Sequence, residues 1–442
     1  MMPRDPAVDR MIAAAGAKPG DLVEVVVRGH AHRGLLMPHT DSADPECAVV
    51  KLDSGYNVGV RLAGGSIRLI ESREAKGYAE AAAPEAPAKV AEGFIALIGT
   101  GGTIASYVDY DTGAVHPALT TRELATAVPE VMARYPLRPV ALFSEFSENL
   151  RPEHWVKIAH EVKRQVEEGA TGVIIPHGTD TLTYTAAALA FMIENPPVPI
   201  VLVGSQRSSD RPSSDATFNL LCAALVATSD IAEVVAVMHN RTGDEVCAVH
   251  LGPRVRKMHA SARAAFRSVN VPPLALTDGR RVEPVHGAHW RKRSDGRKVI
   301  LRDKLAEPVA LLQYYPGMPE SLLRSAIAGS KGLVLAGSGL GHVAEDLLPT
   351  IQEATARGFP VVVTTQCIYG RTGLHVYSSG RNLLEAGVID AGDMLTEAAV
   401  VKLMWAVAHA RGPADVRKLM ETNLVGEVAE RRVFEGSGED ER

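Results

Sequence analysis

Cysteine is scarce: the 442 residues hold only Cys47, Cys222, Cys247 and Cys367, and no two form a CxxC pair. Their separations match no zinc-ligand spacing, so a thiolate metal site is excluded and buried reduced thiols are expected. Long apolar runs are missing as well. No stretch reaches the roughly 18 uncharged apolar residues of a membrane span. Residues 1–21 carry Asp5 and Asp9 and no extended apolar core, which argues against a secretory signal. A cytoplasmic protein is expected. Nor is there an excess of charge of one sign. Lys plus Arg number 47 and Asp plus Glu 52, for a net charge of −5, so the molecule as a whole is no polycationic nucleic-acid binder. Phosphate-loop signatures are absent too: no Gly-Lys-Ser/Thr and no full GxGxxG follow the first glycine-rich turn.

What remains is ordinary globular composition, 46% hydrophobic and 22% charged. The length is too great for one typical core and points to two or three domains. In the first ~75 residues, Val23 to Val27, Ala48 to Leu52, Tyr56 to Arg61 and Ile67 to Ile70 are short β-prone runs. Lys18-Pro19-Gly20-Asp21, Asp53-Ser54-Gly55 and Gly64-Gly65 separate them as turns. This spacing suggests a small N-terminal β-barrel over residues 1–75. Residues 76–92 are rich in Ala, Glu and Pro, lack a stripe of large apolar residues and read as a linker.

From Phe94 the period changes. Apolar runs at Phe94–Ile98, Gly172–Ile175, Ile200–Val203, Val234–Met238, Leu333–Ala336 and Val361–Thr364 alternate with helical patterns. One such pattern is the stripe Trp155, Ile158, Val162 and Val166; Leu182 to Met192, Phe218 to Ala227 and Thr396 to Ala410 are others, the last with Thr396 as a candidate N-cap. Strand–helix alternation specifies an α/β body with mainly parallel sheets. A basic, polar stretch from Arg280 to Arg302 divides it. The expected division is a larger α/β domain over residues 93–285, a linker over 286–304 and a smaller α/β domain over 305–442. Arg280–Arg302 could contact phosphates, but with Glu283 and Asp295 interspersed a solvated linker is the better reading.

In a parallel sheet, ligands bind beyond the carboxyl ends of the strands. Three such ends carry unusual polar turns. The first is Gly99-Thr100-Gly101-Gly102-Thr103-Ile104, whose glycines let the backbone approach a ligand and aim N–H groups at an oxyanion. Thr103 then offers a hydroxyl nucleophile at its mouth. The second is His177-Gly178-Thr179-Asp180-Thr181. Either Asp180 or Thr181 alone reads equally well as a cap for the helix from Leu182; the side-by-side hydroxyl and carboxylate are less well explained so. His177 reads as structural. The third is Gly204-Ser205-Gln206-Arg207, followed by Asp215, which could pair with Arg207. Further on, Arg254-Val255-Arg256-Lys257 is usually the pattern of a solvated face. A partly desolvated lysine beside Asp180 and a hydroxyl would instead serve as base for a threonine, as in Ser-Lys hydrolases.

Together these turns resemble the bacterial-type L-asparaginase family, from about Phe94 to about Ala410. The resemblance implies an asparaginase-like body of two α/β domains, with Thr103 as nucleophile and Thr179, Asp180 and Lys257 as the second threonine with its Asp–Lys partners. It implies substrate binding by Ser147 and Glu148, in Phe146-Ser147-Glu148-Asn149, and by the glycines Gly102 and Gly178. Glu148 stands where a glutamine is common. The mobile-loop tyrosine has three candidates, Tyr107, Tyr110 and His116, and a residue donated by a neighbouring subunit has one, His342. A plain asparaginase lacks the N-terminal ~90 residues. Barrel, linker and body together are similar to the D-subunit family of archaeal glutamyl-tRNA(Gln) amidotransferases. Asp53-Ser54-Gly55-Tyr56-Asn57-Val58-Gly59-Val60, Met258-His259-Ala260-Ser261 and Ala265-Phe266-Arg267-Ser268-Val269-Asn270 carry that likeness. It implies a glutaminase or asparaginase that feeds ammonia to a partner, the amidotransferase E-subunit, acting on Glu-tRNA(Gln) with ATP and magnesium. No cofactor or metal is expected for amide hydrolysis itself, and a homodimer within a heterotetramer is the implied assembly. A free-standing L-asparaginase and an inactive binding module are the rival readings.

Overall fold

The computed structural model describes residues 6–37, 46–52, 57–72, 93–101, 106–108, 115–117, 129–207, 214–294 and 296–429. At the N-terminal end, helix α1 (Pro6–Ala14) precedes five strands: β1 (Leu22–Val27), β2 (His30–Leu36), β3 (Cys47–Leu52), β4 (Asn57–Arg61) and β5 (Ser66–Glu71). They form one antiparallel sheet in the order β4-β3-β2-β1-β5. Alternate residues Val23, Val25, Ala48 and Val50 face inward and bury against Val8 and Ile12 of α1. Where a barrel is expected, the structure establishes this sheet; no ladder joins β4 to β5 among the described residues. Both α1 and β2 are additions to the expected elements. The β1–β2 turn is Arg28-Gly29, with φ of 50° and 78°. It adopts the left-handed geometry of a tight hairpin without the Asn-Gly or Asp-Gly that announces one.

The second sheet has eight strands: β6 (Phe94–Gly99), β9 (Leu137–Ala141), β10 (Ala170–Pro176), β12 (Ile200–Val203), β13 (Val234–His239), β14 (Cys247–Leu251), β17 (Ala275–Thr277) and β18 (Val282–Pro284). Their order is β18-β17-β14-β13-β12-β10-β6-β9, parallel from β13 to β9 and antiparallel beyond β13. Two-residue periodicity splits its side chains between two layers. Ala96, Ile98, Val173, Ile175 and Met238 join the core built with α3 (Pro152–Glu167) and α4 (Leu182–Met192). Ile95, Leu97, Ile174, Val201 and Val237 meet α2 (Pro129–Arg134) and α5 (Ala216–Thr228) on the other face. Helix α4 is apolar almost all round and buried, as a helix enclosed on every side must be. Three two-stranded ladders flank this sheet: β7 (Ser106–Val108) with β8 (Val115–Pro117), β11 (Ile193–Glu194) with β19 (Ile300–Leu301), and β15 (Val255–Lys257) with β16 (Phe266–Ser268).

The third sheet is wholly parallel, in the order β20 (Ala310–Gln313), β21 (Leu333–Gly337), β22 (Val361–Thr365) and β23 (Ile389–Asp390). Helices α6 (Glu320–Ala328), α7 (Leu348–Ala356) and α8 (Ser378–Glu385) cover one face. The other face, through Val334, Val362 and Ile389, joins the core of the large sheet by way of α9 (Thr396–His409). Helix α10 (Pro413–Glu421) closes the described chain. Thr396 is the first residue inside α9 and Leu395 occupies the cap, a one-residue correction; the Thr396 hydroxyl is instead 3.0 Å from that of Thr364. The thiol expectation needs correcting too. All four cysteines are free, but only Cys222 and Cys247 are buried; Cys47 is half-buried and Cys367 exposed. No helix is long and apolar enough to cross a membrane among the described residues.

Candidate active site

Strands β6, β10 and β12 are neighbours, so their carboxyl-end turns converge. Thr100, buried, donates its hydroxyl to Pro176 O at 2.7 Å and ties the first turn to the second. Gly101 has φ 100°, and a Cβ there would come within 2.3 Å of Glu145 O, so only glycine fits. Gly102 and Thr103 lie outside the described residues, as does Tyr110. Tyr107 and His116 are cross-strand partners in the β7–β8 hairpin that follows.

In the second turn, Lys257 reaches in from the end of β15. Its Nζ donates to Thr179 Oγ1 at 2.9 Å and to Asp180 Oδ1 at 2.6 Å. Lys257 is 13% exposed and Asp180 67%. The Thr179 oxygen accepts from the ammonium, which leaves its own hydrogen free to point outward. The capping alternative fails on geometry. Thr181 occupies the N-cap of α4 but makes no side-chain cap bond; it donates to Ser147 O at 2.7 Å instead. Asp180 is committed to the lysine. Gly178 has no Cβ because one would sit 2.7 Å from that of Ser147. Ser147 is thereby packed against the turn, and Glu148, exposed, follows it in a short 3-10 turn. Thr179, Asp180, Lys257, Gly178 and Ser147 are thus brought together.

The basic run Arg254–Lys257 is no solvated face. Arg254 is buried against Asp393 at 3.0 Å and Arg256 pairs with Glu397 at 3.0 Å. The stretch Arg280–Arg302 is likewise engaged at home. Arg281 meets Glu283, Arg291 meets Glu233, Arg302 meets Glu194, and Arg293 donates to the carbonyls of Ala227 and Ser229. Asp215 accepts the backbone N–H groups of Gln206 and Arg207, each at 3.0 Å. His342 stands at the end of the third sheet, its Nδ1 3.2 Å from Ser379 Oγ. Among the described residues no group of three or more His, Cys, Asp or Glu is arranged to hold a metal ion.

His177 is structural, and its proton can be assigned from its neighbours. Nδ1 faces Gly178 O at 2.6 Å and must donate. Nε2 then accepts from Thr185, whose oxygen also takes the Trp155 indole N–H at 3.0 Å. Burial pulls the His177 pKa down to about 4, against the help of the Gly178 carbonyl, and that of His250 down to about 3. Both imidazoles are therefore neutral when folded, and the unfolded chain binds the extra protons. Stability should hold above about pH 6.5 and fall as pH drops toward 4, by about 3 kcal/mol for His177 alone. Urea unfolding between pH 7 and 4.5 checks this against His177→Gln, which should show a shallower slope; equal slopes would mean that the imidazole already charges in the fold.

Known proteins resemble this chain in sequence and in fold. Residues 94–288 match the family model "Asparaginase, N-terminal", residues 308–420 "Glutaminase/Asparaginase C-terminal domain" and residues 17–70 "GatD N-terminal domain". The glutamyl-tRNA(Gln) amidotransferase D-subunit of Pyrococcus furiosus is 46% identical over 429 residues, covering 95% of this chain and 97% of that one. The D-subunit of Thermococcus kodakarensis is 47% identical over 430 residues, with the same coverage. The chain belongs to the glutamyl-tRNA(Gln) amidotransferase D-subunit family. Among solved structures, the thermostable L-asparaginase from Thermococcus kodakarensis superposes with a TM-score of 0.68 at 35% identity, covering 76% of this chain and 99% of that one. L-asparaginase I from Vibrio cholerae gives 0.67 at 29% identity, covering 77% and 100%. The α/β body is therefore asparaginase-like, and the N-terminal sheet is built from the residues that match the GatD N-terminal domain. Sequence reasoning missed Arg254, Asp393 and Asn270. Asn270 sits at φ 63° and donates to Gly370 O and Asp393 O, linking the two α/β bodies. The sequence places Arg254 in a basic run and Asn270 at the end of a family-like stretch, but neither pattern says that they meet Asp393 and Gly370 at least 100 residues away.

Proposed function

We propose that this chain hydrolyses the side-chain amide of glutamine, or asparagine, and delivers the ammonia to a partner, the amidotransferase E-subunit, which converts Glu-tRNA(Gln) to Gln-tRNA(Gln). The observation that carries the reading is Lys257 Nζ held between Thr179 Oγ1 and Asp180 Oδ1, beside Ser147 and beyond the carboxyl ends of parallel strands. Thr103 attacks the amide carbonyl. Backbone N–H groups of the glycine turns stabilise the oxyanion. The hydroxyl proton that Thr103 gives up as the acyl-enzyme forms passes to the leaving nitrogen through the Thr179 hydroxyl and Lys257, which Asp180 orients, so that the C–N bond breaks and ammonia departs. Water then releases glutamate or aspartate. Ser147 and Glu148 hold the substrate's α-carboxylate and α-amino group, with a carboxylate at 148 strengthening the grip on the ammonium. Gly102 and Gly178 border the substrate. ATP and magnesium serve the partner's reaction, and no step on this chain runs through either.

The same reading takes residues 1–75 as a small barrel, 76–92 as a linker, 93–285 and 305–442 as two α/β domains and 286–304 as the link between them. The single inward face shared by β1, β3 and α1 supports the barrel. A cytoplasmic homodimer within a heterotetramer completes the proposal. Ammonia release from glutamine, by the chain alone and with the E-subunit plus Glu-tRNA(Gln), tests it. Strong stimulation by partner and charged tRNA is expected. High activity alone, with no stimulation, would make the chain a free amidohydrolase and leave its N-terminal sheet unexplained.

A further inference from the structure

Behind the Thr179–Asp180–Lys257 group runs a chain of hydrogen bonds, buried at Asn219 and His239, that the amide chemistry does not use directly. It begins at the turn after β12. Asp215 accepts from Gln206 N and Arg207 N, and Asn219 Nδ2 donates to Gly204 O at 2.9 Å and to Asp215 Oδ2 at 3.0 Å. Gly204 backs directly onto Thr179: a Cβ on it would lie 2.8 Å from Thr179 Cγ2. The chain ends at the turn after β15. Asp244 Oδ1 accepts from Arg263 Nη1 at 2.8 Å, and Arg263 also donates to Thr242 O. Arg263 belongs to the 258–265 turn that follows Lys257, whose strand partner is Phe266.

His239, fully buried at the end of β13, joins the halves. Its Nδ1 is 2.5 Å from Asn219 Oδ1 and its Nε2 is 2.9 Å from Asp244 Oδ1. The Asn219 amide cannot be flipped, because its nitrogen already faces two acceptors. Its oxygen also takes the Cys247 thiol at 3.3 Å. Both ring nitrogens of His239 therefore face acceptors, so the ring ties the two turns together from both sides. Asp244 Oδ1 is shared between His239 Nε2 and Arg263 Nη1, and the Phe218 ring packs edge-on against the imidazole at 5.3 Å.

We infer that His239 is a positioning residue: bridging Asn219 Oδ1 and Asp244 Oδ1 through its two ring nitrogens, it fixes the turn that backs Thr179 relative to the turn that follows Lys257. The inference rests on the reading that Lys257 and Thr179 act in amide hydrolysis. A relay of this kind moves the lysine against the threonine by fractions of an ångström, a displacement that changes rate more than substrate affinity. The test is glutamine-dependent ammonia release by the full chain in complex with the E-subunit. His239→Gln donates to only one of the two acceptors, and kcat should fall roughly tenfold with KM unchanged. Asp244→Asn, at the half-exposed end of the relay, avoids the risk of a core substitution and should give a similar loss. The double variant should be no worse than either alone, because both cut one chain. Unchanged kcat in both variants, or losses that multiply, would each overturn the relay. Lys257→Ala in the same assay separates the two ideas. Full turnover there overturns the catalytic reading, whereas lost turnover there with normal His239→Gln and Asp244→Asn overturns the relay alone.

Discussion

Replacing Lys257 by alanine is expected to lower kcat for ammonia release by roughly 10²–10⁴-fold, the range for a proton-transfer group, while the urea midpoint stays near its original value. Two magnitudes decide between a catalytic and a structural effect. As a structural element, the Lys257–Asp180 pair has one member 67% exposed, and an ion pair in that setting contributes about 0–1 kcal/mol. As a catalytic element, a loss of 10²–10⁴ in rate corresponds to about 3–5 kcal/mol of barrier. The substitution should therefore be read in the rate and hardly in the stability. Thr179→Val removes the hydroxyl that accepts from Nζ at 2.9 Å and should act in the same direction. Lys257→Ala and Thr179→Val act as one unit, so the double variant should lose little beyond the worse single. Undiminished ammonia release by purified Lys257→Ala would remove the lysine from the mechanism.

Much of this arrangement was legible in the residues. Gly172–Ile175, Ile200–Val203 and Val234–Met238 are continuous apolar runs because they are buried on both faces of a parallel sheet, a pattern without a surface alternative. The turn His177–Thr181 could be placed at a strand end for the same reason. Lys257 could be named only through a family likeness, since the β15–β16 hairpin that carries it to Thr179 is two three-residue strands with no periodicity of their own. The charge pattern misled in a consistent way. Arg254, Arg256 and Arg293 read as solvent-facing, yet each has carboxylate or carbonyl partners far away in sequence. Local composition records that a residue is charged, while its burial depends on a partner contributed by another element. β2 was missed for a related reason: it begins His30-Ala31-His32-Arg33, mostly exposed, and buries only its far end. His239 shows the same blindness at the candidate site, as the final residue of a strand whose apolar part alone announces it.

The other large effect belongs to stability, and it sits in a pair that no motif announces. Lys402 and Glu427 are each 0% exposed and meet at 2.5 Å. Lys402 Nζ also donates to Met420 O and Thr422 O at the end of α10, so all three ammonium hydrogens are used. Glu427 accepts from Leu424 N and Val425 N. Burial lowers the Lys402 pKa and the Glu427 carboxylate works against that shift. Such a pair adds little over an apolar core of equal volume, but cutting one half strands the other charge in the interior, at about 3–5 kcal/mol. Glu427→Ala is therefore expected to lower unfolding free energy by that amount, and Lys402→Met by a similar one. The double variant should fall well short of their sum, since each single change already destroys the pair. The effect should also reach the site. Gly426 O, next to Glu427, accepts from Arg254 Nε at 2.7 Å, and Ala429 N donates to Asp393, the partner of Arg254. Arg254 lies three residues before Lys257 on the same segment. Freed from Glu427, residues 424–429 lose their hold on Arg254, and kcat should drop at temperatures where Glu427→Ala is still folded. Urea unfolding together with ammonia release measures both. A midpoint within the error of the unsubstituted protein would mean that water reaches this pair and that the C-terminal segment is held by its apolar contacts instead.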